Sequence, residues 1–331
     1  MIDRYRGFHP GLQTTVCALL LACMPPAFAA DTTENEAAVQ ACRDIDDDKD
    51  RLRCYDELSA TPAESDEPVA ARGFLNQRIE QDAERETFTL TARRPNYIMH
   101  TYLEDPNQEP FHITDDEDRL DNSEIKFQLS AQTKLSDDMF EKPLDLWFSY
   151  TQVSFWQLYN DDISSPFREN NYEPEIYASL LTDYSFLGLT GRNINFGFNH
   201  QSNGRGELLS RSWNRVFAEF IFVRDDFGLS FKPWYRIPES SSSDDNPDIE
   251  DYLGNYEIKA YQRWHGHDFS LMLRNIFDSD NRYNAELQWS FPIKRRLRGL
   301  VQWYNGYGEN LIDHDHKNNR IGIGLLMTDW L

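Results

Sequence analysis

Three side chains in one short stretch have the types and spacing to hydrolyse an ester. His200 and Ser202 lie two apart in Asn199-His200-Gln201-Ser202-Asn203-Gly204-Arg205, and Asn214 follows in Ser210-Arg211-Ser212-Trp213-Asn214-Arg215. A serine hydroxyl attacks a carbonyl carbon only when a nearby base takes its proton, and that base needs a third group to fix its tautomer. Residues two apart on a β-strand share a face, so His200 and Ser202 point the same way. Ile194, Phe196 and Phe198 have the same parity and make that face apolar. In the next run Asn214 shares parity with Val216, Ala218, Phe220 and Phe222, while Arg215 and Glu219 take the opposite face. Polar groups on an apolar face are costly unless they bond to one another or do a job. A His-x-Ser pair alone says little; the carboxamide at matching parity and height makes the set specific.

The elements that must position these groups are read from alternation. Ile125, Phe127, Leu129 and Ala131 alternate with Lys126, Gln128 and Ser130; Ala285, Leu287, Trp289 and Phe291 alternate with Glu286, Gln288 and Ser290. Tyr256, Ile258 and Ala260 alternate with Glu257 and Lys259, and Ile321, Ile323, Leu325 and Met327 share a face opposite Gly322 and Gly324. This period of two, an apolar row backed by polar residues or glycine, is the pattern of an all-β transmembrane barrel. A soluble β-sandwich has the same period but rarely places so many Trp and Tyr at run ends, where the membrane interface lies. The runs from Asn96 onward number about a dozen, an even count that puts both chain ends on the periplasmic side. Connections at 103–124, 158–172, 202–210, 237–254 and 305–318 are long and polar, whereas those near 184–191, 224–227, 265–268 and 292–296 are short. Long external loops and short periplasmic turns alternate in this way in outer-membrane barrels.

The chain carries 56 acidic and 33 basic residues, a net charge of −23 over 331 residues. Nucleic acid is therefore not an expected partner, because phosphate binding needs a cationic face; the surplus carboxylates suit cation binding instead. Residues 1–29 read as an export signal: Arg4 and Arg6, an apolar core from Val16 to Cys23, and a small-x-small site at Ala27-Phe28-Ala29. Leu20-Leu21-Ala22-Cys23 is an alternative lipidation site. Residues 30–94 read as a helix-prone, polar periplasmic segment and linker, and 95–331 as the barrel. Cys42 and Cys54 would lie about 18 Å apart on one straight helix, so a bridge between them requires a turn near Asp46-Asp47-Asp48-Lys49-Asp50. Two unpaired thiols are the other reading.

The stretch Asn199 to Arg205, with Ser210 to Arg215, resembles the signature of the outer-membrane phospholipase A family. So do Tyr150-Thr151-Gln152, Ser164-Ser165-Pro166-Phe167-Arg168, Asn171-Tyr172-Glu173-Pro174, Lys232-Pro233-Trp234-Tyr235, Asp244-Asp245-Asn246-Pro247-Asp248 and Gly306-Tyr307-Gly308-Glu309. The resemblance runs from about Asn96 to the end. It implies a twelve-stranded antiparallel barrel in the bacterial outer membrane, inserted by the barrel-assembly machinery. It also implies calcium-dependent hydrolysis of sn-1 and sn-2 acyl esters of phospholipids and lysophospholipids, by a homodimer. Carried over by position, it makes Ser202 the nucleophile, His200 the general base, Asn214 the residue that holds the imidazole, and the Gly204 amide an oxyanion donor. It assigns Ca2+ to the Arg205 carbonyl, to Ser210 and, across the dimer, to Ser164. A second, looser site would take Asp245 and Glu207, although the family pattern has aspartate where Glu207 stands. Gln152 corresponds to a polar residue of the dimer interface. The ending Asp329-Trp330-Leu331 departs from the aromatic last residue of the family.

Other groups read more plainly. His314-Asp315-His316 is expected to be a solvated external loop, His265 and His267 flank a tight turn, and Lys294-Arg295-Arg296 is a basic periplasmic turn. Two further readings compete with the phospholipase. A porin or adhesion barrel would have no use for Ser202 and Asn214 outside its wall. A lipid A deacylase would orient its histidine with a carboxylate.

Overall fold

The computed structural model describes residues 43, 45, 47, 49, 51, 54, 73–111, 120–161, 167–294 and 297–328. The chain divides into two units, 1–67 and 68–331. In the first, the Arg51 amide donates to the Asp47 carbonyl at 2.9 Å, and Cys54 is disulfide-bonded. Cys42, the export signal at 1–29 and the terminal residues 329–331 lie outside the described residues.

In the second unit a helix, α1 (Phe74–Ala83), precedes β1 (Asn96–Leu103), β2 (Ser123–Ser136), β3 (Leu144–Trp156), β4 (Phe167–Phe186), β5 (Leu189–Ser202), β6 (Ser212–Arg224) and β7 (Phe227–Arg236). A short helix, α2 (Ile249–Leu253), leads to β8 (Tyr256–Trp264), β9 (His267–Arg274), β10 (Asn284–Lys294), β11 (Leu297–Gly306) and β12 (Asn318–Thr328). Each strand pairs antiparallel with its sequence neighbours, and β1 pairs with β12, so the sheet closes into a barrel without an edge. Closure satisfies every strand's backbone inside the sheet, which a hydrocarbon surround demands.

The burial pattern is that of a soluble protein turned inside out. Lys126, Gln128 and Ser130 of β2 are buried while Leu129 is exposed, and Gln288 and Ser290 of β10 are buried while Leu287 and Trp289 are exposed. On β12 the outward row is more extreme, with Ile323 61% exposed. Gly322 backs that row because the lumen beside it is full: a Cβ there would sit 2.7 Å from Met99 Sδ and 2.8 Å from the Thr101 methyl.

Inside, charges compensate one another. Arg168 donates to Glu124 and Asp313, and Arg320 reaches both Glu124 and Glu309. Glu175 takes Lys232 at 2.7 Å, and Glu173 takes Arg94 at 2.7 Å. A cavity of about 110 Å³ remains among Arg94, Glu173, Lys259 and Glu286, room for only a few waters. A filled lumen fits poorly with a conducting pore.

Both mouths are covered. At the short-turn end Leu75 and Ile79, one helical turn apart on α1, pack against Val223, Ile221 and Tyr261. The start of α1 is tied by the Phe74 amide to Asp226 at 3.2 Å, and its far end by the Lys134 ammonium to the Ala83 carbonyl. Two hairpins at this end, Leu187-Gly188 and His265-Gly266, have both turn residues at positive φ, matching the twist of the flanking strands. At the long-loop end Ile249 and Leu253 of α2 bury with Leu311, Trp213 and Trp234.

That packing corrects one expectation. His314 does not lie in a solvated loop: it is 3% exposed. Leu311 and Ile312 fold into the mouth and draw the histidine in after them, its Nδ1 bonded to the Leu311 carbonyl at 3.1 Å. His316 stays exposed, its Nε2 bonded to the Asp105 carbonyl at 3.0 Å.

Candidate active site

Strand register brings the three chemical groups to one place. Across β5 and β6, His200 is the direct partner of Asn214, and Ser202 of Ser212. Their face is the outer one: Phe196, on the same row of β5, is 62% exposed. The opposite rows enter the lumen, where Asn199 donates to Glu173 at 2.9 Å and Arg215 donates to the Asn199 carboxamide oxygen. No bulge interrupts the ladder between Asn193 and Ser202, so alternation carries through to the serine.

The hydrogen bonds then settle the protonation pattern. His200 Nδ1 is 2.9 Å from Asn214 Oδ1, and Asn214 Nδ2 donates to Glu239 Oε1 at 3.3 Å. A carboxylate only accepts, so the carboxamide must present its nitrogen to Glu239 and its oxygen to His200. That oxygen in turn can only accept, so the proton of a neutral imidazole sits on Nδ1 and Nε2 keeps a lone pair. The result is an imidazole on the outer row of the wall whose Nε2 carries the lone pair. Glu239 reaches this position because the Ile237 amide donates to the Asn214 carbonyl at 2.8 Å, laying the chain after β7 alongside β6. Sequence reasoning missed Glu239: it follows the end of β7 in a serine-rich loop, and no periodicity points to it.

Ser202 shares the face, flanked by Tyr172 on β4 and Ser212 on β6. Among the described residues no hydrogen bond joins its hydroxyl to the His200 ring. After Ser202 the chain turns sharply. Gly204 has φ +65°, and a Cβ there would come within 2.9 Å of the Tyr172 ring, so both backbone and space require glycine. Buried Asn203 shapes the turn: its carboxamide oxygen accepts the Arg205 and Arg211 amides at 3.2 and 3.0 Å, and its nitrogen donates to the Leu209 carbonyl. Among the described residues the Gly204 amide donates to no oxygen.

Of the residues expected to hold calcium, Ser210 and Asp245 come together, with Ser210 Oγ 2.5 Å from Asp245 Oδ2. The Ser212 amide donates to Asn246 Oδ1 at 3.0 Å, and Arg236 holds Asp244 at 2.6 Å, so the connection after β7 is fastened beside the one after β5. Arg205 sends its guanidinium to the Phe167 and Arg168 carbonyls. Ser164 and the Glu207 side chain lie outside the described residues. A hydroxyl, a carboxylate and a backbone carbonyl are the oxygen donors a hard cation prefers.

The family profile described as Phospholipase A1 matches residues 75–327. The chain belongs to the phospholipase A1 family. Curated relatives agree: the phospholipase A1 of Klebsiella pneumoniae is 38% identical over 294 residues, covering 84% of this chain and 98% of the relative. That of Escherichia coli strain K12 is 38% identical over 271 residues, covering 82% and 92%. Among solved structures, the Salmonella typhi outer membrane phospholipase dimer with bound calcium superposes with a TM-score of 0.71 at 36% identity, over 76% of this chain and 98% of that one. The outer membrane phospholipase A of Escherichia coli gives 0.69 at 37% identity, over 74% and 100%. This member of the phospholipase A1 family is thus a phospholipase built on an outer-membrane β-barrel. Because the matched region begins at residue 75, it takes in α1 as well as the barrel.

Proposed function

We propose that the chain hydrolyses sn-1 and sn-2 acyl esters of phospholipids and lysophospholipids, with Ser202 as nucleophile and His200 as general base. The bond between His200 Nδ1 and Asn214 Oδ1, on the lipid-facing row that also carries Ser202, is the observation behind this reading.

Each step follows from the groups in place. As Ser202 Oγ bonds to the ester carbonyl carbon, its proton passes to His200 Nε2. The imidazolium so formed is stabilised through Nδ1–H by Asn214. The carbonyl oxygen becomes an oxyanion, for which the unpaired Gly204 amide is a donor. Collapse breaks the bond to the leaving alkoxide, which takes the proton from Nε2 and departs as a lysophospholipid. Water then repeats the sequence on the acyl-serine and releases the fatty acid.

Arg205, through its carbonyl, and Ser210 fit a calcium ion by donor chemistry, with Ser164 of a second copy completing the set in this reading; Asp245, bonded to Ser210, would belong with Glu207 to the second, looser site. Bound there, calcium supplies positive charge to offset the developing negative charge. Homodimerisation has its own support. Gln152 donates to Ser154, and Ser154 to Asn170, on the outward rows of β3 and β4. Ser154 is already buried, but Gln152 and Asn170 keep exposed area on the outer wall, where polar groups are costly, and a second copy would cover them; the similar Salmonella typhi phospholipase is a dimer. Residues 1–29 are assigned as the export signal, 30–94 as the periplasmic segment and 95–331 as the barrel, inserted by the barrel-assembly machinery.

The test is fatty-acid release from phosphatidylethanolamine in mixed micelles. The expected result is turnover with calcium that a chelator stops and Ser202→Ala abolishes. Turnover persisting in Ser202→Ala would refute the assignment.

A further inference from the structure

We propose that Asp248, His314 and Asp315 form a structural site for a first-row divalent transition metal, zinc or a close analogue, at the long-loop end of the barrel. One ligand atom from each lies within 4.8 Å of the other two. The proposal goes beyond the hydrolytic site and uses none of its residues.

The buried histidine carries the argument. Nδ1 faces the Leu311 carbonyl at 3.1 Å and Nε2 faces Asp248 Oδ1 at 3.0 Å. A carbonyl only accepts, so Nδ1 holds a proton. Metal-bound histidines commonly show this arrangement, one nitrogen donating to a backbone carbonyl and the other ligating. Nε2 and the Asp248 carboxylate oxygen therefore stand close enough for one cation to bridge them. Two ligands about 2.0–2.1 Å from one ion lie about 2.9–3.4 Å apart, and the 3.0 Å separation matches. Asp315, exposed, closes on the ion from outside.

Neighbouring cations do not fill this role. Among the described residues neither Asp248 nor Asp315 pairs with a lysine or arginine. Lys317 lies over the Tyr283 ring, and Arg282 engages Asp278, Asp280 and Asp251. Two carboxylates and a neutral imidazole balance a divalent ion. The nitrogen donor favours a transition metal over calcium, which prefers oxygen alone. Such an ion would clamp the connection after β11 to the one after β7, whose Glu239, Asp245 and Asn246 contact Asn214, Ser210 and Ser212.

Cobalt is the probe: the untagged full chain, in detergent with saturating calcium, is titrated with Co2+ and followed by visible absorption. The expected outcome is one Co2+ per chain, displaced by Zn2+ but not by added Ca2+. His314→Gln should weaken uptake more than about 100-fold, the upper end of what losing an outer-shell partner alone costs, and exposed Asp315→Asn should weaken it measurably. His316→Gln should leave it unchanged. No saturable uptake, or uptake indifferent to both His314→Gln and Asp315→Asn, overturns the proposal and leaves His314 and Asp248 as an imidazolium–carboxylate pair. Because the readout is metal uptake, the result is independent of whether the barrel hydrolyses lipid.

Discussion

Glu239 accepts the Asn214 carboxamide N–H at 3.3 Å, and that contact decides which end of the amide His200 meets. Without it the amide can flip and offer N–H groups to Nδ1, turning the imidazole to the tautomer whose lone pair faces the wrong way. A net hydrogen bond is worth about 0.5–1.5 kcal/mol, or about 2- to 12-fold in rate. Glu239→Ala should therefore lower kcat by about that factor with KM nearly unchanged, because the residue acts on the base and not on bound lipid. A KM effect with intact kcat would show that Glu239 shapes the lipid cleft instead.

In the proposed mechanism Asn214 faces a charge on His200 that develops only during reaction. Hydrogen bonds to charged groups contribute about 1.5–3 kcal/mol, so Asn214→Ala should cost about 10- to 150-fold in kcat. The barrel should survive, since the side chain lies on the outer wall and the ladder pairing is backbone. Steady-state kinetics beside a heat-modifiability gel separates the two effects. Activity within twofold of the parent would remove Asn214 from the mechanism.

Gly204→Ala faces two obstacles, a left-handed φ of +65° and the Tyr172 ring 2.9 Å from the new methyl. The backbone cost alone is about 1–2 kcal/mol, and displacing the turn would move the amide proposed to serve the oxyanion. Tyr172→Ala in the same chain should relieve the clash but not the φ strain, restoring activity only in part. Full recovery in the double variant would mean that crowding, not backbone, sets the requirement.

Acid should loosen the connection after β11 before it unfolds the barrel. Burial pushes Asp313 up, but Arg168 more than offsets this and holds the carboxyl below its ordinary value; Glu309 is likewise buried yet lowered by Arg320 and Lys126. A carboxyl depressed in the folded state contributes stability above its unfolded pKa of about 4, and that stability is lost as pH falls through the lower folded value. Hydrogen exchange of residues 307–317 should accelerate below about pH 4 in the parent and show a weaker pH dependence in Asp313→Asn. Equal acid sensitivity in both would exclude the Asp313–Arg168 pair as the cause.

How much of this was legible in the sequence follows from how each contact is made. His200, Ser202 and Asn214 could be placed on one outer face because strand parity is a local property, and the regular ladder from Asn193 to Ser202 preserves it. Most strands were legible for the same reason, since Leu129 beside Gln128, or Leu287 beside Gln288, states which side meets lipid; the connections were less so, because β4 begins at Phe167, inside the connection expected at 158–172, and the one at 275–283 was missed. Glu239 and His314 were not legible. Their surroundings come from loops meeting over the barrel mouth, where Ile249, Leu253 and Leu311 bury together, and no periodicity records which loop meets which. Arg93 and Arg94 illustrate the same limit. They precede β1, yet they enter the lumen and bond Glu219 and Glu173.

The most direct test of the account is where an activated serine reveals itself. A long-chain alkylsulfonyl fluoride reacts only with a nucleophile whose proton is being taken, so its adduct maps the working site. With calcium present, peptide mass spectrometry should find one adduct per chain, on Ser202, and His200→Ala should abolish it. Modification at another residue, or equal labelling of Ser202 when His200 is gone, would contradict a serine driven by this imidazole.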